Sequence, residues 1–150
     1  MDSLGKARLL AVLVPATLLG GAYVAQYGFG LPPCEMCWWQ RYPHFAALAI
    51  GLLAFFVPPA RLWTALAGLA IIASGAIGGF HAGVEYGWWE GITGCSTLPT
   101  NIDVMSVTDA PLIRCDVAPW DLFGISLAGF NFLISCTAGA AVVALAAYRK

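Results

Sequence analysis

Charge is what this sequence has least of. Of its 150 residues only 10% are Asp, Glu, Lys or Arg, against about 25% in an ordinary soluble domain. So few polar groups cannot cover a water-facing surface, which excludes a freely soluble globule. No basic tract occurs, which argues against nucleic acid as a partner. There is no nucleotide-binding motif and no ligand set for haem, so the chain brings no built-in electron carrier of either kind. Internal repeats and low-complexity tracts are also missing.

What is present is apolar. Hydrophobic residues make up 60% of the chain and the mean hydropathy is +0.79. Four apolar runs stand out, at about Leu9–Tyr27, Tyr42–Val57, Leu62–Tyr86 and Trp120–Tyr148. A helix needs around 20 residues to cross the hydrocarbon core. The first, third and fourth runs are long enough; the second is short and works best if its helix begins earlier, near Cys37. Lipid tolerates no unsatisfied backbone, so such runs must be helical. The expectation is an all-α membrane protein, a single domain over 1–150 built as a four-transmembrane-helix bundle. Its loops at about 28–41 and 87–119 both separate odd from even spans and therefore share one side. Pro58-Pro59-Ala60-Arg61 reads as a tight turn on the other side. Lys6 and Arg8 ahead of the first run would also suit a cleaved signal peptide. Pro15 interrupts that run and it continues to Tyr27, so the first span is expected to stay.

The distribution of charge orients the bundle. Lys6, Arg8, Arg61, Arg149 and Lys150 fall at the termini and the tight turn, and only Arg41 and Arg114 at the long loops. Five cations against two place both termini inside by the positive-inside rule. Glu35, Glu90, Asp103, Asp109 and Asp116 all lie opposite. Trp38, Trp39, Trp88, Trp89 and Trp120 cluster at the expected outer ends and Trp63 at an inner end, as interfacial indoles do. Gly68, Gly75, Gly79 and Gly83 recur at offsets of seven, four and four, a small-residue stripe that lets a neighbouring helix approach closely.

The chemistry sits in the cysteines. Cys34-Glu35-Met36-Cys37 is a pair whose two intervening residues allow a small disulfide ring that opens and recloses easily, which suits redox exchange. Structural zinc is the alternative, with Cys95 and Cys115 as the further ligands, as is an inert staple. Arg41 stands at i+7 from Cys34 and i+4 from Cys37, on the same face if the helix already runs through this segment. A guanidinium there favours the reactive thiolate and neutralises an anionic acceptor; the plainer reading is that Arg41 snorkels to headgroups. Pro43 cannot donate to the carbonyl of Trp39, so the helix either kinks or starts there. Cys95 and Cys115 close a loop of about twenty residues, worth roughly 3 kcal/mol as a staple. They also face the same compartment as the first pair, and four cysteines allow three pairings. His81 and Glu85, one turn apart, suit either a proton relay or an interfacial hydrogen bond. His44 shares the depth of Arg41 with no role assigned, and Cys136, mid-span, reads as a buried inert thiol.

Taken in order, these blocks resemble the DsbB family of bacterial disulfide-bond-forming membrane proteins. The resemblance is carried by Cys34-Glu-Met-Cys37 with Arg41, by Phe80-His81-Ala-Gly83-Val84-Glu85 leading to Cys95, and by Cys115-Asp116-Val-Ala-Pro119-Trp120. The last block runs on into Phe123-Gly124-Ile-Ser126-Leu-Ala-Gly-Phe130-Asn131. It implies an enzyme of the inner membrane, a protein-disulfide:quinone oxidoreductase with two redox-active periplasmic loops and cytoplasmic termini. Cys95 and Cys115 would be the disulfide attacked by a reduced, thioredoxin-fold DsbA-like partner. Cys34 and Cys37 would reoxidise that pair and pass the electrons to ubiquinone or menaquinone, with Arg41 beside the quinone and His81 near its pocket. Pro43 and His44 depart from the family pattern after the arginine, and the loop from Cys95 to Cys115 is short. A vitamin K epoxide reductase-like protein shares the spans and cysteine number, but there the loop cysteines precede the redox pair. A non-enzymatic subunit with structural disulfides is the other alternative. A small transporter would want ionisable groups deep in several spans, whereas Glu85 and Asp121 lie near span ends.

Overall fold

The computed structural model describes residues 2–95 and 113–148. Four long helices make the bundle: α1 (Ser3–Tyr23), α2 (Glu35–Phe56), α3 (Ala60–Glu85) and α4 (Leu127–Ala147). A π-helical turn, Val24–Gly28, extends α1, and a two-residue hairpin, β1 (Asp121–Leu122) and β2 (Ile125–Ser126), precedes α4. Among the described residues, three segments are long and apolar enough to cross a membrane: Ser3–Gly28, Ala60–Glu85 and Leu127–Ala147. At 22 residues α2 is about 33 Å long, but Glu35, Gln40, Arg41 and His44 dilute its apolar character.

Local chemistry sets the helix starts. Asp2 caps α1 by accepting from the Gly5 N–H at 2.8 Å. Cys34, in extended backbone after Pro32 and Pro33, caps α2, its sulfur accepting from the Cys37 N–H at 3.2 Å. α2 therefore starts at Glu35, seven residues before the apolar run does, and continues through Pro43. The fourth helix starts later than expected. Residues from Trp120 onward are apolar enough for a span, but Phe123 and Gly124 adopt φ of 54° and 76° to turn the hairpin. Ser126 then caps α4, accepting from the Gly129 N–H at 3.1 Å. The Tyr86 hydroxyl fastens this hairpin to the end of α3, accepting from the Ser126 N–H and donating to the Gly124 carbonyl.

α3 is the central helix, packed most extensively on α4 and α2, with α1 against α2 and α4. The expected glycine stripe divides in two. Gly68, Gly75 and Gly79 face α4, where any Cβ would meet Val142 and Val143, Cys136, and Phe132 respectively. Gly83 instead lies under the Trp89 indole, which donates to the Phe80 carbonyl at 2.9 Å. Cys136 is partly exposed beside Gly75, not buried as expected. At the opposite end of the bundle Arg61 donates to the carbonyls of Ala146 and Tyr148, meeting the unpaired carbonyls at the end of α4. Large apolar side chains such as Leu13, Leu52, Phe56, Leu69 and Leu133 stay exposed around the outside, a surface suited to lipid. Arg149 and Lys150, which contribute to the expected orientation, lie outside the described residues, as do Pro99, Asn101, Asp103, Asp109 and Pro111.

Candidate functional site

All four cysteines singled out from the sequence converge at one end of the bundle. Cys34, Met36, Val84 and Cys115 form a buried cluster, with Cys37, Trp39, Phe80 and Cys95 packed against it. Cys95 and Cys115 are joined as a disulfide, their Cα atoms 5.4 Å apart across 20 residues of sequence. Sulfurs joined in this way are not thiolate ligands, so in this state the four-cysteine zinc alternative lacks its second pair; the ligand atoms of Cys34, Cys37 and His81 lie within 4.8 Å of one another. Cys34 and Cys37 are free thiols whose sulfurs sit 2.7 Å apart. That is shorter than van der Waals contact, and closure to a bond of about 2.05 Å needs a movement below about 1 Å.

The two pairs differ in access. Cys115 is fully buried and Cys34 nearly so, whereas Cys95 and Cys37 are partly exposed. Thr93 lies against both sulfurs of the disulfide, at 3.2 Å from Cys95 and 3.5 Å from Cys115. His81 stands between the pairs. Its Nε2 is 3.2 Å from the Cys115 carbonyl, 3.6 Å from the Cys34 sulfur and 3.7 Å from the Glu85 carboxylate. The expected His81–Glu85 pair thus exists, but the imidazole also touches both cysteine pairs. A cavity of about 220 Å³ beside the Cys34–Cys37 pair is walled by Cys34, Cys37, His81, Glu85 and Arg114.

A second cavity, of about 260 Å³, opens between all four helices on the other side of Cys37. Arg41, His44, His81 and Gln40 contribute its polar walls; Leu18, Leu31, Leu127 and Phe130 are among the apolar ones. Cys37 and His81 border both cavities, while Arg41 borders only this one and Cys34 only the other. Arg41 does not snorkel. It is 6% exposed, its Nη1 donates to Gln26 at 2.6 Å, and its Nη2 donates to the Ala22 carbonyl at 3.3 Å. Its guanidinium also stacks over Trp38 and Tyr23, 4.8 and 5.1 Å from the ring centroids. Gln26 reaches it from the π-helical turn, a local irregularity common at functional sites.

Behind the cavities runs a chain of buried hydrogen bonds that the sequence reading missed. Gln40 Nε2 donates to the Met36 carbonyl and to His81 Nδ1, the latter at 2.8 Å. Asn131 Nδ2 donates to Gln40 Oε1 at 2.9 Å and to Ser74. Asn131 Oδ1 in turn accepts from Ser135 and from His44 Nε2 at 3.0 Å. The available signal was the presence of Ser74, Asn131 and Ser135 within apolar runs, since polar groups at membrane depth are costly unless paired. Near the disulfide, Arg114 donates from Nε and Nη2 to the two carboxylate oxygens of Asp116. These bonds from the guanidinium hold the Asp116 carboxyl below its ordinary range.

A dithiol and a disulfide brought together at one end of a membrane bundle define a protein equipped for thiol–disulfide exchange. The family model for disulfide bond formation protein DsbB matches residues 5–146, so the chain belongs to the DsbB family of disulfide-bond-forming oxidoreductases and is a multi-pass membrane protein. Among curated relatives, it is similar to the uncharacterized protein RP370 of Rickettsia prowazekii (strain Madrid E). The two are 25% identical over 135 residues, 85% of this chain and 78% of that one. It is also similar to the disulfide bond formation protein B of Marinobacter nauticus, 36% identical over 69 residues, 46% of this chain and 41% of that one. No solved structure matches the chain at a significant level.

Proposed function

We propose that the chain is a four-span protein of the bacterial inner membrane that reoxidises a DsbA-like thioredoxin-fold protein and transfers the electrons to a membrane quinone. Both termini face the cytoplasm and both cysteine-bearing loops the periplasm, where disulfides persist. The observation that carries this reading is the position of Cys37, packed against the cluster that holds the Cys95–Cys115 disulfide and lining a mostly apolar cavity.

Exchange begins at the accessible sulfur. A thiolate of the reduced partner attacks Cys95, forming a mixed disulfide and releasing Cys115 as thiolate. Cys115, packed with Cys34 in one cluster, attacks the Cys34–Cys37 disulfide at Cys34 and releases Cys37. The partner's second thiolate then resolves the mixed disulfide and leaves oxidised. Return of the Cys95–Cys115 bond, as Cys95 attacks Cys115, leaves Cys34 and Cys37 as the dithiol seen here. His81 Nε2–H lies where it stabilises a thiolate on Cys34.

The 260 Å³ cavity fits a single flat ring better than a bulky cofactor, ligand sites usually running from about 300 Å³ upward. Its mostly apolar wall with one cation, one carboxyl and two imidazoles suits a lipophilic ring carrying oxygens, so Arg41, His44 and His81 would hold a ubiquinone or menaquinone head. Bound there, a quinone supplies the oxidant, taking up two electrons and two protons. Arg41, held by Gln26, Ala22, Trp38 and Tyr23, is fixed before any ligand arrives, and fixed cations stabilise developing negative charge without reorganisation.

The test is anaerobic. Purified protein is mixed with a reduced thioredoxin-fold dithiol protein and a short-tailed quinone, and quinone absorbance is followed. Wild type should consume one quinone per partner dithiol oxidised, and Cys34→Ala or Cys95→Ala should abolish it. Retained turnover in both variants would show that the cysteines are staples.

A further inference from the structure

We infer that His44 is a binding residue that recognises the reduced form of the quinone, its Nδ1 accepting a hydrogen bond from a quinol hydroxyl in the 260 Å³ cavity. The inference rests on the quinone reading above and extends it to a residue on the wall of the same cavity.

His44 is 3% exposed and forms part of the cavity wall, yet its Nδ1 has no hydrogen-bond partner. Buried polar atoms are nearly always paired, and among the described residues on this cavity wall two are not, His44 Nδ1 and Glu85 Oε2, so a ligand group there has two unpaired atoms to meet. The network decides what kind. Asn131 Nδ2 lies against the Ser74 carbonyl, and a carbonyl only accepts, so that atom is the amide nitrogen. Asn131 Oδ1 is therefore the acceptor facing His44 and Ser135. His44 Nε2 must carry the hydrogen, which it directs at Asn131 Oδ1 and, at 3.3 Å, at Ser135.

A neutral imidazole protonated at Nε2 has only a lone pair at Nδ1. The hydrogen-bond partners of the ring are amide and hydroxyl groups, with no carboxylate to hold a second proton on it. An oxidised quinone offers carbonyl oxygens, which are acceptors, and cannot bond to that lone pair. A quinol offers O–H donors and can. The same logic applied to Gln40, whose Nε2 lies against the Met36 carbonyl, leaves His81 Nδ1 already satisfied. His44 is thus the imidazole left with an acceptor free.

The test uses the full-length protein with its cysteines oxidised, so that no turnover occurs. Isothermal titration calorimetry measures short-tailed ubiquinone and menaquinone, each in oxidised and reduced form, against wild type, His44→Gln and His44→Phe. Glutamine keeps a donor near the Nε2 position for Asn131 while removing the acceptor at Nδ1, so it tests the inference even if phenylalanine prevents folding. Both variants should lose about tenfold in quinol affinity, the equivalent of one hydrogen bond, with quinone affinity within twofold of wild type. A merely structural histidine would move both affinities together. Unchanged quinol affinity in His44→Gln, or a parallel fall for both forms, would overturn the inference and leave the quinone reading standing. Binding of neither form to wild type would overturn both.

Discussion

Replacing Gly78 with alanine adds one methyl group at the point where the buried network crosses between helices. The added Cβ would stand 2.9 Å from the Ala128 carbonyl oxygen, 2.9 Å from Asn131 Nδ2 and 3.1 Å from Gln40 Oε1. Ordinary C···O contacts are about 3.3–3.6 Å, and the Ala128 oxygen belongs to the backbone of α4, so α4 itself must give way. Overpacking of this kind costs about 1–3 kcal/mol. Prising Gln40 from Asn131 adds about 1 kcal/mol. Against this, alanine gains at most about 1 kcal/mol over glycine in helix propensity. The balance is a net loss of about 1–3 kcal/mol. Gly20→Ala is the matched control, because nothing lies within 4 Å of a Cβ there and only the propensity gain remains. Reversible unfolding in mixed detergent micelles, followed by circular dichroism, compares the two. Gly78→Ala as stable as Gly20→Ala would refute the close approach of α3 and α4 and the network drawn through it.

Arg41→Met should raise the Michaelis constant for quinone at least about tenfold, the scale of a lost charge-assisted contact; steady-state kinetics at varied quinone checks this, and an unchanged constant counts against it. Oxidation of the thiol partner in a single turnover should stay within about twofold in the same variant, since Arg41 borders only the 260 Å³ cavity, which neither Cys95 nor Cys115 lines. Cys136→Ala should cost below about 1 kcal/mol and leave turnover intact, because this partly exposed residue packs its sulfur on Gly75 and lines neither cavity; lost turnover would show otherwise. The Asp116 carboxyl, held down by Arg114, should titrate by carbon-detected NMR with a midpoint below 3.8. A group depressed in the folded state stabilises it above the unfolded value and loses that effect as pH falls through the folded one. The contribution should therefore be undiminished between pH 7 and 5, and a midpoint at or above 3.8 would contradict the pairing.

The bundle was legible because its signals are local and cumulative: runs of apolar residues for α1, α3 and α4, proline pairs at turns, and tryptophans near helix ends. The start of α4 was misplaced because hydropathy cannot distinguish Trp120–Ser126 from a helical turn. Asp121, Gly124 and Ser126 did carry turn and cap chemistry there, since Asp121 accepts from the Gly124 N–H and Ser126 caps the helix. The start of α2 is set by a cysteine acting as its cap, a role in which serine or aspartate is the usual guide. Cys34, Cys37, Cys95 and Cys115 could be named from spacing and order. Their meeting with His81 could not, because it depends on how α2, α3 and the segment around Cys115 pack. The Gln40–Asn131–His44 chain joins residues as much as 91 apart in sequence. Only the cost of leaving polar groups unpaired within apolar spans hinted that partners existed.

The central claim is that the Cys34–Cys37 dithiol delivers its electrons to a quinone without an intermediary. It is tested most directly by reducing these two cysteines, removing the reductant, adding a short-tailed quinone anaerobically without any partner, and locating disulfides by mass spectrometry of quenched peptides. The account predicts a Cys34–Cys37 bond appearing together with one quinol per chain. Both cysteines persisting as thiols in the presence of excess quinone would contradict it.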